Sequence, residues 1–573
     1  MPPASRSRIA CTLALAAVCG LAGVVSAADA RPLDVCVYGG TSGGTIAAVA
    51  AARRGSRVVL IEPGRRLGGM SSGGLGMTDN GATSTITGLA REFYERVYRF
   101  YRDPENWRHQ RREDFVASLP SIWGVDGPRM EKLEAQFIFE PRAAERVFTD
   151  LVGEAGVTVV FGERLDLTDG VSTRSGRIHA IRMESGREFV ADVFIDATYE
   201  GDLMAKAGVS YVVGREPNDR YGETLNGSFP FTPRAFPAIS PFVVAGDPAS
   251  GLLPRVSATP SGPKGSGDDK LQAYNFRVCL TDVPENRVAI EKPADYDPRE
   301  YELLARMIAT MKNVRPGSAK TAAVALAGPE RPLGITFHRI PNAKTDSNSG
   351  GEFGSDMVGG NAGWPEGDYE TRERIFARHK TYVLGLLWFL GNDPRVPRAV
   401  REEMQRWGLP RDEFPDTGHF PHQLYVREAR RMVSDVVMTE RHARGELSVD
   451  DGIALASYPL DCHGIALYVD ERGVLHRERG FMEKAGPPFP ISYRSIRPRA
   501  EQCANLLVVS CLSASHAAYG SVRMEPVFMM LGHAAGAAAD LARRAGSSVQ
   551  EVNVANLREA LVTDGQLVDW PAR

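Results

Sequence analysis

A short apolar run ending at Tyr38 is followed by Gly39-Gly40-Thr41-Ser42-Gly43-Gly44, a small-residue stretch over 45–54, and a second apolar run over 57–61 that closes on Glu62. Short apolar runs bounded by glycine predict buried strands, and the alanine-rich stretch between them predicts a helix. Further on, 157–161, 178–184 and 188–195 predict short strands with turns at Ser175-Gly176 and Ser185-Gly186, together a small antiparallel element. From about 211 to 492 the pattern changes to proline- and glycine-rich connections between separated helices, among them 299–311 and 372–390. The apolar run 382–390 is too short to span a membrane and predicts a buried helix. A last strand over 505–510, a loop, and an alanine-rich helix opened by Pro526 and reaching about Arg544 complete the pattern.

The first strand–helix–strand unit has the spacing of a dinucleotide site. Gly39 permits a sharp turn out of the strand, Gly44 permits the helix to lie close to the sheet, and N–H groups at the helix start face a pyrophosphate with the positive end of the helix dipole. Glu62, about 20 residues beyond the glycines, stands where a carboxylate accepts from a ribose diol. The second glycine of the usual pattern is Thr41, whose Cβ limits backbone approach while its hydroxyl offers a hydrogen bond in return. The loop carrying Gly68-Gly69-Met70-Ser71-Ser72-Gly73-Gly74 is too glycine-rich for regular structure, and long loops of this kind in compact domains are usually functional.

Composition narrows the partners. A 573-residue chain that is 43% apolar builds a large core, one two-lobed unit or two domains, and a net charge of -3 without a long basic run argues against nucleic acid. At the N-terminus, Arg6 and Arg8 precede an apolar run over 9–25 and a small-residue site at Val25-Ser26-Ala27, the pattern of a cleaved export signal over 1–27. The mature protein is then periplasmic or secreted and has no stable membrane span. Beyond residue 27 the cysteines are Cys36, Cys279, Cys462, Cys503 and Cys511. Their spacing is neither a disulfide framework nor a metal motif, although one bridge, such as Cys462 with Cys503, stays open.

On the glycine cluster with Glu62, the 68–74 loop, Asp196-Ala197-Thr198-Tyr199-Glu200-Gly201-Asp202, the segment 424–431 and the segment 513–536, the chain resembles the bacterial FAD-dependent oxidoreductases among the glutathione-reductase-like flavoproteins, relatives of the fumarate-reductase type. The resemblance implies an α/β fold: a Rossmann-like FAD-binding domain in two parts, 32–210 and 493–545, a large inserted α+β substrate lobe over 211–492, and a tail over 546–573. It implies FAD as cofactor, held by Gly39, Gly40, Thr41, Ser42, Gly43, Gly44 and Glu62, by Gly68, Gly69, Met70, Ser72, Gly73 and Gly74, by Ala197 and Thr198 on the adenine side, and by Ser521, Val522, Arg523 and Glu525 near the flavin. No second glycine cluster marks an NAD(P)H site.

Several groups are candidates for the chemistry. Arg523 precedes a helix whose N-terminus faces the pyrimidine edge of the flavin in the resembling family, with Glu525 orienting it or capping the helix. His516 is the first choice for a proton acceptor and His338 the second, while each also suits a structural hydrogen bond. Arg427, Glu428, Arg430 and Arg431 follow Tyr425 at helical spacing, which puts Arg427 and Arg431 on one face of a helix, so two guanidinium groups could clamp a substrate beside Tyr425 or, the commoner outcome, tie elements together. Calcium at Asp346, Asn348 and Asp356 lacks the EF-hand spacing, and no metal is expected. The leading expectation is two-electron hydride transfer from a small organic substrate, a sugar or polyol C–OH, with an electron acceptor the sequence does not identify. Carboxylate desaturation or reduction, a monooxygenase suggested by Asp169-Gly170, and a non-redox polysaccharide-processing role with structural FAD are the alternatives.

Overall fold

The computed structural model describes residues 33–119, 126–228, 234–311, 327–328, 331–332 and 334–570. The segment 1–27, where the sequence places an export signal, lies outside them. Strands β1 (Leu33–Tyr38), β2 (Val58–Glu62) and β3 (Thr158–Phe161) lie side by side and parallel. On the other side of β1 come β6 (Glu188–Asp196), then β5 (Arg177–Arg182) and β4 (Val171–Arg174). A seventh strand, β7 (Leu506–Val508), returns from the far end of the chain to pair with β6.

Two habits of pairing meet in β6. Its first residues, Glu188 to Val190, pair antiparallel with β5, and its last six run parallel to β1, with Ala191 opposite Leu33 and Asp196 opposite Tyr38. The burial pattern follows: alternating exposed and buried at first, then continuously buried from Val193 to Asp196. A strand covered on both faces needs an unbroken apolar run, whereas an antiparallel one with a wet face alternates. The expected antiparallel element is therefore split, because 157–161 joins the parallel edge through β2 instead of the β4–β5 hairpin. Asp169-Gly170 lies at the turn before that hairpin, with Asp169 exposed and Gly170 N bonded to Asp166 O.

Helix α1 (Ser42–Arg53) starts three residues earlier than the alanine pattern predicts. Thr41 explains the shift: its hydroxyl accepts from Gly44 N and caps the helix, so Ser42, Gly43 and Gly44 form the first turn. The segment after β7 is not a plain loop but contains α2 (His516–Val522), followed by α3 (Glu525–Ala545) with Pro526 in its first turn. A Cβ on Gly532 would stand 2.0 Å from Gly43 O, and one on Gly536 would stand 2.3 Å from Ala47 O. The contacts advance together along both chains, so α1 and α3 run parallel, backbone to backbone, with both N-termini on the carboxyl side of the parallel strands.

Between Tyr211 and Ser492 the chain builds smaller sheets and one long helix, Tyr369–Asn392, which holds the 382–390 run with most of its side chains buried. Among the described residues no helix is long and apolar enough to cross a membrane. Leu33–Arg573 forms one compact unit. The helical spacing read for 424–431 is not realised. Residues 421–430 are irregular, tied by Tyr425 N to Asn275 O, and Arg431–Met432 pairs as a short strand with Tyr211–Val212. Cys462 and Cys503 are free thiols, as are Cys36, Cys279 and Cys511.

Candidate functional site

The carboxyl ends of β1, β2 and β6 converge on Gly39, Glu62 and Ala197. Gly39 has φ of +100° and its N–H bonds Ile61 O, a turn in which a Cβ would meet Thr198 N at 2.8 Å. Glu62 accepts from Gly40 N at 2.7 Å and Gly64 N at 2.5 Å, and a Cβ on either glycine would press on its carboxylate. It remains partly exposed, and burial pushes its pKa up to about 7 against these two bonds. Thr41 does not keep its hydroxyl for a ligand: besides capping α1 it donates to Ala197 O at 2.7 Å. The Thr198 hydroxyl is likewise spent on Asp196, at 2.7 Å.

The 68–74 loop is drawn onto this edge. Gly68 N bonds Gly40 O, Met70 N bonds the Tyr199 hydroxyl at 3.0 Å, and the Ser72 hydroxyl donates to Leu67 O. A Cβ on Gly73 would strike Gln423 at 2.3 Å, and one on Gly74 would strike Arg277 O at 2.1 Å, so the loop lies flat against the segment leading to Tyr425. Glu525, at the start of α3, neither orients Arg523 nor caps the helix by a side-chain bond. Its carboxylate accepts from Ser71 at 2.9 Å and Tyr199 at 2.8 Å, and burial raises its pKa.

These residues fit an FAD. The N–H groups of Ser42 and Gly43, which helix geometry leaves without an intrahelical acceptor, and the parallel N-terminus of α3 give two positive helix ends for a pyrophosphate. Glu62, caged by glycines at the end of the second strand, has the donor-seeking oxygens a ribose diol requires.

Beyond the loop lies a polar centre. Arg523 caps the end of α2 and points inward, bonding the Tyr425 hydroxyl at 2.9 Å and Asp461 at 2.8 Å. Arg427 stacks over the Tyr425 ring at 4.7 Å and pairs with Asp356 at 3.0 Å. His463 closes the set: Nδ1 is 2.7 Å from Asp356 and Nε2 3.5 Å from Asp461. Burial opposes ionisation of both carboxyls, yet Arg427 and His463 hold Asp356 well below its usual range, and His463 and Arg523 lower Asp461. Asp356, Asp461 and His463 line a cavity of about 980 Å³, together with Cys462, Glu352, Arg234, Arg477 and Arg479. The three arginines all pair with Glu352.

The predicted catalytic and substrate residues are distributed differently. His516 is buried with Nδ1 on Glu428 at 2.9 Å and Nε2 3.5 Å from Cys462, behind the wall of that cavity and not in its lining. His338 stands on strand Ile335–Ile340, opposite Asp346, in a group with Arg277 and Asp79, and burial lowers its pKa. Arg431 shares no face with Arg427; it is consumed by Glu216 at 2.6 Å and Glu428 at 2.8 Å. Ser521 donates to Tyr458 O, and Val522 is core. Asp346, weighed in the sequence as a calcium ligand and set aside, is tied to Arg277 at 2.6 Å. His463 and Asp461 went unassigned in the sequence. The available signal was Asp461-Cys462-His463, three chemically capable side chains in a row.

No curated protein matches the sequence. Among solved structures, the chain is similar to OxyS anhydrotetracycline hydroxylase from Streptomyces rimosus, at 14% identity and a TM-score of 0.23 over 33% of this chain and 36% of that one. It is also similar to L-proline dehydrogenase from P. horikoshii, at 16% and 0.23 over 33% and 59%, and to P. aeruginosa PqsL in complex with 2-aminobenzoylacetate, at 11% and 0.31 over 94% of each. The matched part is thus under two thirds of the first two proteins' length, and likenesses this weak inform neither substrate nor architecture. The family model described as FAD dependent oxidoreductase, in contrast, matches residues 34–561, a span that contains the segment from Gly39 to Glu62, and the chain belongs to this family and is an oxidoreductase with FAD as its cofactor.

Proposed function

We propose that the protein is a two-electron dehydrogenase or oxidase of a C–OH group in a polyhydroxylated substrate, a sugar, polyol or sugar acid, with His463 taking the hydroxyl proton. The observation that carries this reading is the setting of His463 in the cavity wall. Asp356 holds Nδ1, which fixes the ring and favours the tautomer with a basic Nε2, and the two flanking carboxylates stabilise the imidazolium that forms when a proton arrives. Arg523 and Arg427, paired behind those carboxylates, keep them ionised. FAD, when bound, supplies the two-electron acceptor. The fold reading that accompanies this is a glutathione-reductase-like domain around β1–α1–β2 with residues 211–492 as the substrate lobe.

Three arginines sharing the single carboxylate of Glu352 leave cationic character in the lining, which suits an acidic group on the substrate. The same feature favours a second reading, carboxylate desaturation. Anaerobic addition of neutral sugars, polyols, sugar acids and saturated dicarboxylates, followed in the visible spectrum, separates them. Bleaching by a hydroxylated compound that His463→Ala slows by about 10² or more supports the proposal. Bleaching by dicarboxylates alone, or an unchanged rate in His463→Ala, refutes it. Export belongs to the same proposal, and a mature N-terminus near Ala28 is its check.

A further inference from the structure

Cys462 is a second chemically capable residue in the wall of the cavity, and its surroundings are not those of an inert core thiol. Its sulfur lies 3.5 Å from His516 Nε2 and 3.3 Å from His463 O. On the far side of the ring, His516 Nδ1 is 2.9 and 3.0 Å from the two oxygens of Glu428. Glu428 is fully buried, and although burial opposes its ionisation, His516 and Arg431 hold its pKa down to about 2. An ionised carboxylate on Nδ1 assigns the proton to that nitrogen and leaves Nε2 as an acceptor facing the thiol. Burial pushes the thiol pKa far up, so the thiol needs the contacting base to react.

Among the described residues the other cysteines have no such arrangement. Cys36 packs in β1, Cys279 in strand Val278–Thr281, and Cys503 and Cys511 in the core beside β7; none lines the cavity. Arg234, Arg477 and Arg479 stand in the same wall around the carboxylate of Glu352, so the lining offers guanidinium donors to a carbonyl oxygen.

We propose that Cys462, His516 and Glu428 form a thiol-addition site for small α,β-unsaturated carbonyl compounds entering the cavity, with Arg477 receiving the carbonyl oxygen. In the step, His516 Nε2 takes the thiol proton, sulfur bonds to the β-carbon, and the C=C π pair moves to give an enolate whose oxygen accepts from Arg477. The imidazolium then returns the proton to the α-carbon, so no oxidant or other co-reactant is consumed. The site stands on the cavity wall and is independent of which bond the flavoenzyme oxidises.

The test uses N-ethylmaleimide on the full-length, FAD-loaded protein, with the rate at each cysteine read by peptide mass. Cys462 reacts at least about tenfold faster than Cys36, Cys279, Cys503 and Cys511, and His516→Asn and Glu428→Gln each slow it by about tenfold or more while the flavin spectrum is retained. Labelling of Cys462 no faster than of Cys279, or a full rate in both variants, overturns the assignment. Should the variants not fold, the wild-type pH profile decides. A rate that levels off above neutral pH supports assistance by an imidazole, and one that climbs about tenfold per pH unit from 6 to 9 is an unassisted thiol and refutes it.

Discussion

Gly44→Ala is the sharpest test of the cofactor cradle. A Cβ at Gly44 would sit 1.9 Å from Gly39 O and 2.9 Å from the Ala197 side chain, against an ordinary contact distance of 3.4 Å or more. Relief requires α1 to move away from β1 by about 1.5 Å. The helix is also held along a neighbouring face, where Gly43 O and Ala47 O are already in contact with the glycines of α3 and added Cβ atoms would lie at 2.0 and 2.3 Å. Overpacking by a methyl group usually costs 1–3 kcal/mol, and a clash with backbone on a helix held along two faces belongs at the top of that range, about 3 kcal/mol. The same displacement turns the α1 N-terminus away from the pyrophosphate position.

The assay is the FAD-to-protein ratio after purification together with the temperature of flavin release. Gly153→Ala, in the helix Pro141–Glu154, is the control. A Cβ there meets nothing within 4 Å, and the substitution adds helix propensity of at most about 1 kcal/mol. We expect Gly44→Ala to lose most of its flavin and to release the rest several degrees lower, with Gly153→Ala unchanged or slightly stabilised. A Gly44→Ala protein with stoichiometric flavin and an unshifted midpoint refutes the reasoning.

Glu62→Gln removes the charge that the ribose diol needs and should weaken FAD binding by about 10–100-fold, at about 1.5–3 kcal/mol for charge-assisted bonds, as read by titration of apoprotein. Because the folded-state pKa of Glu62 is raised to about 7, the folded apoprotein holds a proton that the unfolded chain releases between roughly pH 4.5 and 7. Its contribution to apoprotein stability is therefore full below that window and lost as pH rises through 7, whereas FAD, which prefers the carboxylate, binds more tightly with rising pH and displaces close to one proton at pH 6. Calorimetry in buffers of different ionisation enthalpy measures this, and equal proton release in Glu62→Gln would contradict it. Arg523→Ala should keep FAD, since its partners are Tyr425 and Asp461, but slow substrate-dependent bleaching by about 10²; a normal rate makes Arg523 purely structural. Lys344→Met strands Glu140, Asp412 and Glu413, each 2.8 Å from the ammonium, and should cost about 3–5 kcal/mol at neutral pH, with a deficit that shrinks in mild acid as the carboxyls take up protons. Denaturation at pH 7.5 and 5.5 checks that sign.

What the sequence by itself determined is local and periodic. The strand ending at Tyr38, the turn at Gly39, the helix behind it and the carboxylate at the end of the next strand are set by residues within one βαβ unit, where composition and spacing act directly on backbone conformation. Even there, the start of α1 needed the Thr41 cap to be seen, since a glycine cluster reads equally as loop or first turn. What only the tertiary structure decided is which side chains meet. Arg427 and Arg431 looked like one helical face, but each is captured by a different distant carboxylate, and the segment up to Arg430 is irregular. His516, the first choice for a proton acceptor in the sequence, is clamped by Glu428, 88 residues away, while His463 gains its partner Asp356 across 107 residues. Short-range pattern fixes the cradle because neighbouring residues build it. The polar centre is assembled from segments whose separation along the chain carries no trace of their contact, so it exists only once the chain has folded.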